Sequence, residues 1–237
     1  MCFPHAGGGV LSAAKLARSL PDRLGLLTVT LPGREPGDTA AAPRRATEAG
    51  SQLAGDLVEC IKSGDVSEHL VLLGNSYGSL LAFETTRSLQ STPELIFDSK
   101  ALRLIVSGFR SPSLPPSEAP LFRLPTQDLY TELAERFGVA VADLEAAGLY
   151  GLEDALRADL EACDTYRMGD GPKLENRIDV LRMTQDPSVS LAELRSWQDV
   201  TTGSVVMTEI AAGHFPWVSQ PDAVAAAVIA LTADFEA

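Results

Sequence analysis

Cysteine, histidine and aromatic residues are all scarce in this sequence, and long apolar runs are missing. Of 237 residues only three are cysteine, Cys2, Cys60 and Cys163. They stand far apart, form no metal-type pair and are odd in number, which argues against a disulfide framework and for a reducing cytoplasm. The longest apolar run, residues 223–231, has nine members, far short of the roughly 20 that a spanning helix requires. No membrane partner is expected. The first five residues carry neither a basic region nor an apolar one, so a secretory signal is not expected. Positive charge is short as well: 19 Lys and Arg face 32 Asp and Glu, for a net charge of −13. Nucleic acid and anionic lipid both need a positive surface, so both are set aside as partners.

What remains is an ordinary globular composition, 45% hydrophobic, in a chain of a length that α/β folds fill as one domain. Apolar runs of strand length alternate with segments of helical period, the pattern of a mostly parallel sheet covered by helices. Strands are expected at 2–3, 26–31, 70–73, 102–107, 178–184 and 205–210. Helices are expected at 11–20, 47–62, 77–89 and 223–235. Between 107 and 178 the alternation stops. Pro112, Pro115, Pro116 and Pro120 open this stretch, and Gly169, Gly171 and Pro172 close it, as loop punctuation does. Helical patterns at 126–137, 141–147 and 152–166 lie inside it. Residues 112–171 are therefore expected to be a helical lid inserted into a single domain spanning 1–237. The alternative is a further helical layer of the core.

The strongest local signal is Gly74-Asn75-Ser76-Tyr77-Gly78, a G-x-S-x-G with a predicted strand before it and an amphipathic helix after it. The pentapeptide alone says little; that context is what a nucleophile elbow requires. Glycines two before and two after remove Cβ atoms that would clash in so tight a turn. The turn also sets Ser76 at a helix N-terminus, where developing negative charge is favoured. A serine hydroxyl needs a base beside it, and there are three histidines. His5 precedes a glycine run, and His69 stands before a buried strand, away from the elbow. His214 follows the last strand, at the sheet edge where strand-to-helix loops gather, and is the expected base. In the chain order Ser, acid, His, Asp186 stands just past the preceding strand, where it would orient the imidazole; Asp199 and Glu209 are the substitutes. An oxyanion hole needs two backbone N–H groups. Tyr77 would give one, and Ala6, in the glycine-rich Phe3–Gly9 stretch, the other. The whole predicts an α/β-hydrolase fold.

Several pieces of the chain, in order, resemble the type II (editing) thioesterases of polyketide and nonribosomal peptide synthesis. They are Cys2-Phe-Pro-His-Ala-Gly-Gly8, Leu31-Pro-Gly-Arg-Glu35, the elbow running into Leu81-Ala-Phe-Glu84, and Val106-Ser-Gly108. Further on come Leu156-Arg-Ala-Asp159 with Tyr166, Asp186-Pro187 with Trp197 and Thr201, and Gly213-His-Phe215. By position, the resemblance implies Ser76, Asp186 and His214 as the triad and Ala6 and Tyr77 as oxyanion donors. It implies a mobile lid over an acyl channel and acyl thioesters as substrates. The partner it implies is an acyl or peptidyl carrier protein bearing phosphopantetheine. No metal or organic cofactor is called for, and a cytoplasmic monomer is expected.

Three features depart from the family pattern. Asn75 and Tyr77 stand where His and Met are usual, and the bulky Tyr77 is expected to reshape the acyl pocket or add a hydroxyl to it. The family has a few more residues before Cys2, so the first strand is expected to be a stub. Arg34 and Arg157 fall in matched motifs and are read as structural partners of acidic neighbours such as Glu35 and Asp159. Two other functions fit the same residues. One is a carboxylesterase, lipase or acyltransferase on free esters; the other is an inactive hydrolase fold kept as a binding module.

Overall fold

The computed structural model describes residues 1–34, 38–66, 69–92, 101–146 and 152–233, without the side chains of 143, 145 and 146. Five parallel strands lie in chain order, β1 (Cys2–Phe3), β2 (Leu70–Asn75), β3 (Leu102–Ser107), β4 (Ile178–Met183) and β5 (Val205–Ile210). The register sets Asn75 beside Ser107 and Met183 beside Ile210. Because all five strands run the same way, the loops leaving their carboxyl ends gather on one edge. Ser76, Gly108, Asp186 and His214 all sit there.

Side chains alternate across the sheet, as a period of two requires. Leu72, Leu104, Val106, Ile178 and Val180 enter one core with Leu80 and Phe83 of α3 (Tyr77–Gln90) and Leu57 of α2 (Ala46–Ser63). Leu73, Ile105 and Leu181 enter the other, against Leu16 of α1 (Ala14–Ser19) and Val224 and Val228 of the C-terminal helix Pro221–Thr232. Strands buried on both faces read as continuous apolar runs, which is why they were legible.

Between β3 and β4 the described residues contain no strand. They form α4 (Thr126–Phe137), α5 (Val141–Ala146) and α6 (Glu153–Asp164). These helices have an apolar cluster of their own, built on Leu129, Leu133, Leu144, Leu156 and Leu160 and closed by Phe215 from beyond β5.

Some expectations need correction. Residues 26–31 do not form a ladder strand: a single bridge joins Thr28 to Cys2. Cys2 donates to Leu27 O and accepts from Val29 N–H, and a neighbour two residues long offers nothing more to pair with. The helix expected at 11–20 opens as a 3₁₀ turn, Val10–Ala13, before α1. Leu20 is extended because Pro21 follows it. The last helix begins earlier than expected, with Pro221 in its first turn. Position 147, assigned to a helix, and positions 234 and 235 lie outside the described residues. Two short helices were not anticipated, α7 (Leu191–Arg195) and α8 (Pro216–Ser219); the C-terminal helix is thus α9.

Candidate active site

Ser76 has φ 56° and ψ −125°, and is the one non-glycine residue with positive φ among those described. Such a conformation costs on the order of 1–3 kcal/mol and persists only where the surroundings enforce it. Here they do. Ser76 N–H donates to Ser107 O at 2.8 Å, Ser79 N–H to Ser76 O at 2.8 Å, and the Ser79 hydroxyl to Ser107 O at 2.7 Å. A Cβ on Gly74 would lie 2.4 Å from Gly78 O, and one on Gly78 would lie 1.8 Å from Phe3 O. The elbow glycines are therefore fixed by close backbone approach, on one side against β1.

The residues assigned from sequence come together. His214 Nε2 is 3.0 Å from Ser76 Oγ, and its Nδ1 is 2.8 Å from Asp186 Oδ2. All three are buried. Burial raises the Asp186 carboxyl, but His214 and the hydrogen bonds from Ser188 outweigh it and hold the group below its ordinary pKa. Neither substitute competes: Glu209 pairs with Arg182 and Asp199 is exposed.

Other supports were not legible in advance. Ser188 donates to Asp186 Oδ1 through its N–H (3.0 Å) and its hydroxyl (2.6 Å), and its Oγ is also 3.0 Å from His214 Nδ1. Asn75, the departure before the nucleophile, donates through Nδ2 to His214 O at 3.1 Å and accepts from the Ser107 hydroxyl at 2.7 Å. It thus ties the elbow strand to the loop carrying His214.

A cavity of about 260 Å³ opens over Ser76. Its apolar wall includes Ala6, Leu121, Leu133, Leu156, Leu160 and Phe137, and polar side chains such as Arg110 and Glu193 also line it. His5 lines it as well, edge-on to Phe215 with centroids 4.9 Å apart; sequence reasoning discarded His5 as a base and missed it as a wall. Tyr77 corrects another expectation. Its side chain is not on the cavity wall but is buried in the core, near Arg34 and Asp159.

Arg34 pairs with Asp159 in full burial. Arg157 pairs instead with Glu153 and donates to Phe122 O and Leu124 O, holding the helices between β3 and β4 together. Glu35 lies outside the described residues. Among the described residues no group of three or more His, Cys, Asp or Glu is placed to hold a metal ion, and no helix is long and apolar enough to cross a membrane.

A parallel sheet flanked by helices, with a strand–serine–helix turn at its carboxyl edge, defines the α/β-hydrolase fold. A thioesterase-domain model matches residues 1–232, and the chain belongs to the thioesterase family, which makes it a hydrolase. It is 30% identical over 216 residues to thioesterase PikA5 of Streptomyces venezuelae, covering 91% of this chain and 74% of that one. It is 24% identical over 215 residues to the gramicidin S biosynthesis protein GrsT of Aneurinibacillus migulanus, covering 90% and 80%. Among solved structures it resembles BorB, the type II thioesterase of the borrelidin biosynthetic cluster, with TM-score 0.76, 29% identity and coverage of 97% and 88%. It also resembles RedJ, the thioesterase of the prodiginine pathway in Streptomyces coelicolor, with TM-score 0.78, 27% identity and coverage of 96% and 82%.

Proposed function

We propose that this protein is a cytoplasmic thioesterase that removes acyl groups from the phosphopantetheine arm of acyl or peptidyl carrier proteins. The observation that carries this reading is the hydrogen-bonded series Ser76–His214–Asp186 at the base of a cavity with an apolar wall and a polar one. Family membership supports it, and so do relatives named for polyketide and peptide biosynthesis.

Ser76 Oγ attacks the thioester carbonyl while His214 Nε2 takes its proton. The carbonyl electrons collect on an oxygen held by the N–H groups of Ala6 and Tyr77, as an oxyanion hole requires. Collapse expels the pantetheine thiolate, which His214 protonates, leaving an acyl-Ser76 ester. Water then attacks with His214 again as base, releasing the acid and the free serine. Asp186 keeps the imidazole in the tautomer this needs and stabilises its charged form.

Residues 112–171 act as a lid over the acyl chain, but not uniformly. Asp159 and Glu161 bind α6 to Arg34 and Arg44, and the Tyr166 hydroxyl donates to Glu84 at 2.5 Å. α6 is thus fixed directly to the body of the protein, and α4 rests on α6 through the apolar cluster the two share.

The competing reading keeps the triad and changes the substrate to free esters. Hydrolysis of one acyl group carried as a phosphopantetheine thioester on a carrier protein, against its matched oxygen ester, separates the two. Our reading predicts a higher kcat/KM for the carrier-bound thioester; a much higher value for the oxygen ester refutes it.

A further inference from the structure

A second constellation lies behind the serine, and nothing in the reaction above uses it. Asp159, on α6, is completely buried. Its Oδ2 accepts from the Arg34 guanidinium and from the N–H of Gly7 at 2.8 Å. Arg34 Nε and Nη1, Asp159 Oδ1 and the Tyr77 hydroxyl are buried with no hydrogen-bond partner among the described residues. Burial first, and the Asp159 carboxylate next, hold the Tyr77 phenol well above its ordinary pKa, so it stands there neutral.

An ion pair this deeply buried and this incompletely satisfied is a poor stabiliser. Removing two charges from water costs several kcal/mol each, and well-packed apolar replacements of such pairs are often neutral or better. Stability does not account for the pair, but its bond to Gly7 does. Gly7 has φ +73° and follows Ala6, the donor assigned to one half of the oxyanion hole. The peptide joining His5 to Ala6 is planar and trans, so the Ala6 N–H points opposite to the His5 carbonyl. That carbonyl accepts from Gly8 N–H at 2.9 Å, and Asp159 fixes the next peptide through Gly7 N–H. Both planes around Ala6 are thereby set. Tyr77, whose N–H is the other donor, sends its ring into the same buried region.

We propose that Asp159, with its charge balanced by Arg34, is a positioning residue for the oxyanion hole: it holds the Ala6–Gly7 peptide so that the Ala6 N–H faces the acyl carbonyl carbon's oxygen. The pair acts through the loop and touches no substrate. This rests on Ser76 being the nucleophile.

The test compares two uncharged double variants. Arg34→Met/Asp159→Asn keeps a carbonyl to accept from Gly7 N–H; Arg34→Met/Asp159→Leu does not. The first retains kcat to within about threefold, whereas the second loses about 100-fold in kcat, the scale of one lost oxyanion donor. KM and melting temperature change little in either. Binding of an alkyl boronic acid, whose tetrahedral Ser76 adduct places an oxygen in the oxyanion site, weakens in parallel with kcat. Binding of the free fatty acid of the same length does not. Equal kcat in the two double variants, or a loss that simply follows melting temperature, overturns the proposal. If the leucine variant does not fold, Asp159→Glu serves: it keeps the charge, displaces the acceptor by one methylene and lowers kcat at constant KM, and an unchanged kcat overturns the proposal. Failure of the nucleophile reading has a different signature, a wild-type enzyme that forms no boronate adduct at all.

Discussion

Phe137 lies face to face on the imidazole of His214, with ring centroids 3.9 Å apart and planes 7° from parallel. It is the last residue of α4, and Gly138 follows it with φ +62°. A Cβ on Gly138 would sit 2.8 Å from Pro187 Cγ. The C-terminal end of α4 thus rests on the His214 ring and on the loop that carries Asp186 together. Replacing Phe137 by Ala frees the imidazole to turn and misplaces a reacting group, for which losses on the order of 10- to 100-fold in kcat are expected. The ring is only partly buried, and the stability cost is smaller in proportion, about 1–2 kcal/mol. Steady-state kinetics beside a thermal melt distinguish this from a general loss of structure, in which activity would follow the folded fraction.

The strain at Ser76 predicts a trade between stability and activity. Ser76→Gly removes the Cβ that makes φ 56° costly, and glycine repays part of that gain in chain entropy. A net rise of about 1 kcal/mol in unfolding free energy is expected, seen as roughly 2–4 °C in melting temperature, with turnover abolished. A melting temperature below wild type would mean that the elbow stores no strain.

Two glycine-to-alanine changes have opposite expected signs. At Gly78 the new methyl meets the Phe3 carbonyl at 1.8 Å, and since backbone must shift, a loss above about 4 kcal/mol or failure to fold is expected. Gly55, within α2, has nothing within 4 Å of the added atom, and alanine there stabilises by about 0.5–1 kcal/mol. Denaturant melts of the two variants check both.

The Asp186 carboxyl, held below its ordinary pKa, gives a pH signature. A depressed carboxyl stabilises the fold above its unfolded pKa of about 3.9, and that contribution is lost as pH falls through the lower native value. The stability advantage of wild type over Asp186→Asn should stay level from about pH 7 to 5 and shrink below about pH 3.9. At neutral pH the same variant should keep slow turnover, about 10⁴-fold below wild type, as loss of the orienting acid does elsewhere. Wild-type rates would move the acid's role to another group.

The hydrogen-bonded series Ser76–His214–Asp186 was legible because the sequence offers few alternatives. Leu70–Asn75 is apolar enough to be a buried strand, Gly74 and Gly78 bracket one serine, and three histidines leave little choice of base. Contacts made across the chain were not legible. Phe137 reaches His214 only once α4 folds back over the sheet edge, and neither residue's local sequence announces that. The burial of Tyr77 near Arg34 and Asp159 depends on residues far from it in the chain. Residues 26–31 carry a strand-like apolar run, yet pairing requires a partner of length, and Cys2–Phe3 does not supply one. One omission was avoidable: Ser190 and Glu193 form a capping box at the start of α7, a spacing visible in the sequence itself.

The most direct test of the central claim is to trap the acyl-enzyme. Wild type and Ser76→Ala are each mixed with an acyl carrier protein loaded with a short acyl thioester, quenched in acid within milliseconds and digested for mass spectrometry. The account predicts the acyl mass on the peptide containing Ser76 in wild type, decaying as free acid appears, and neither adduct nor free acid with Ser76→Ala. Release of acid by Ser76→Ala at the wild-type rate, or an acyl group found on another residue, would contradict it.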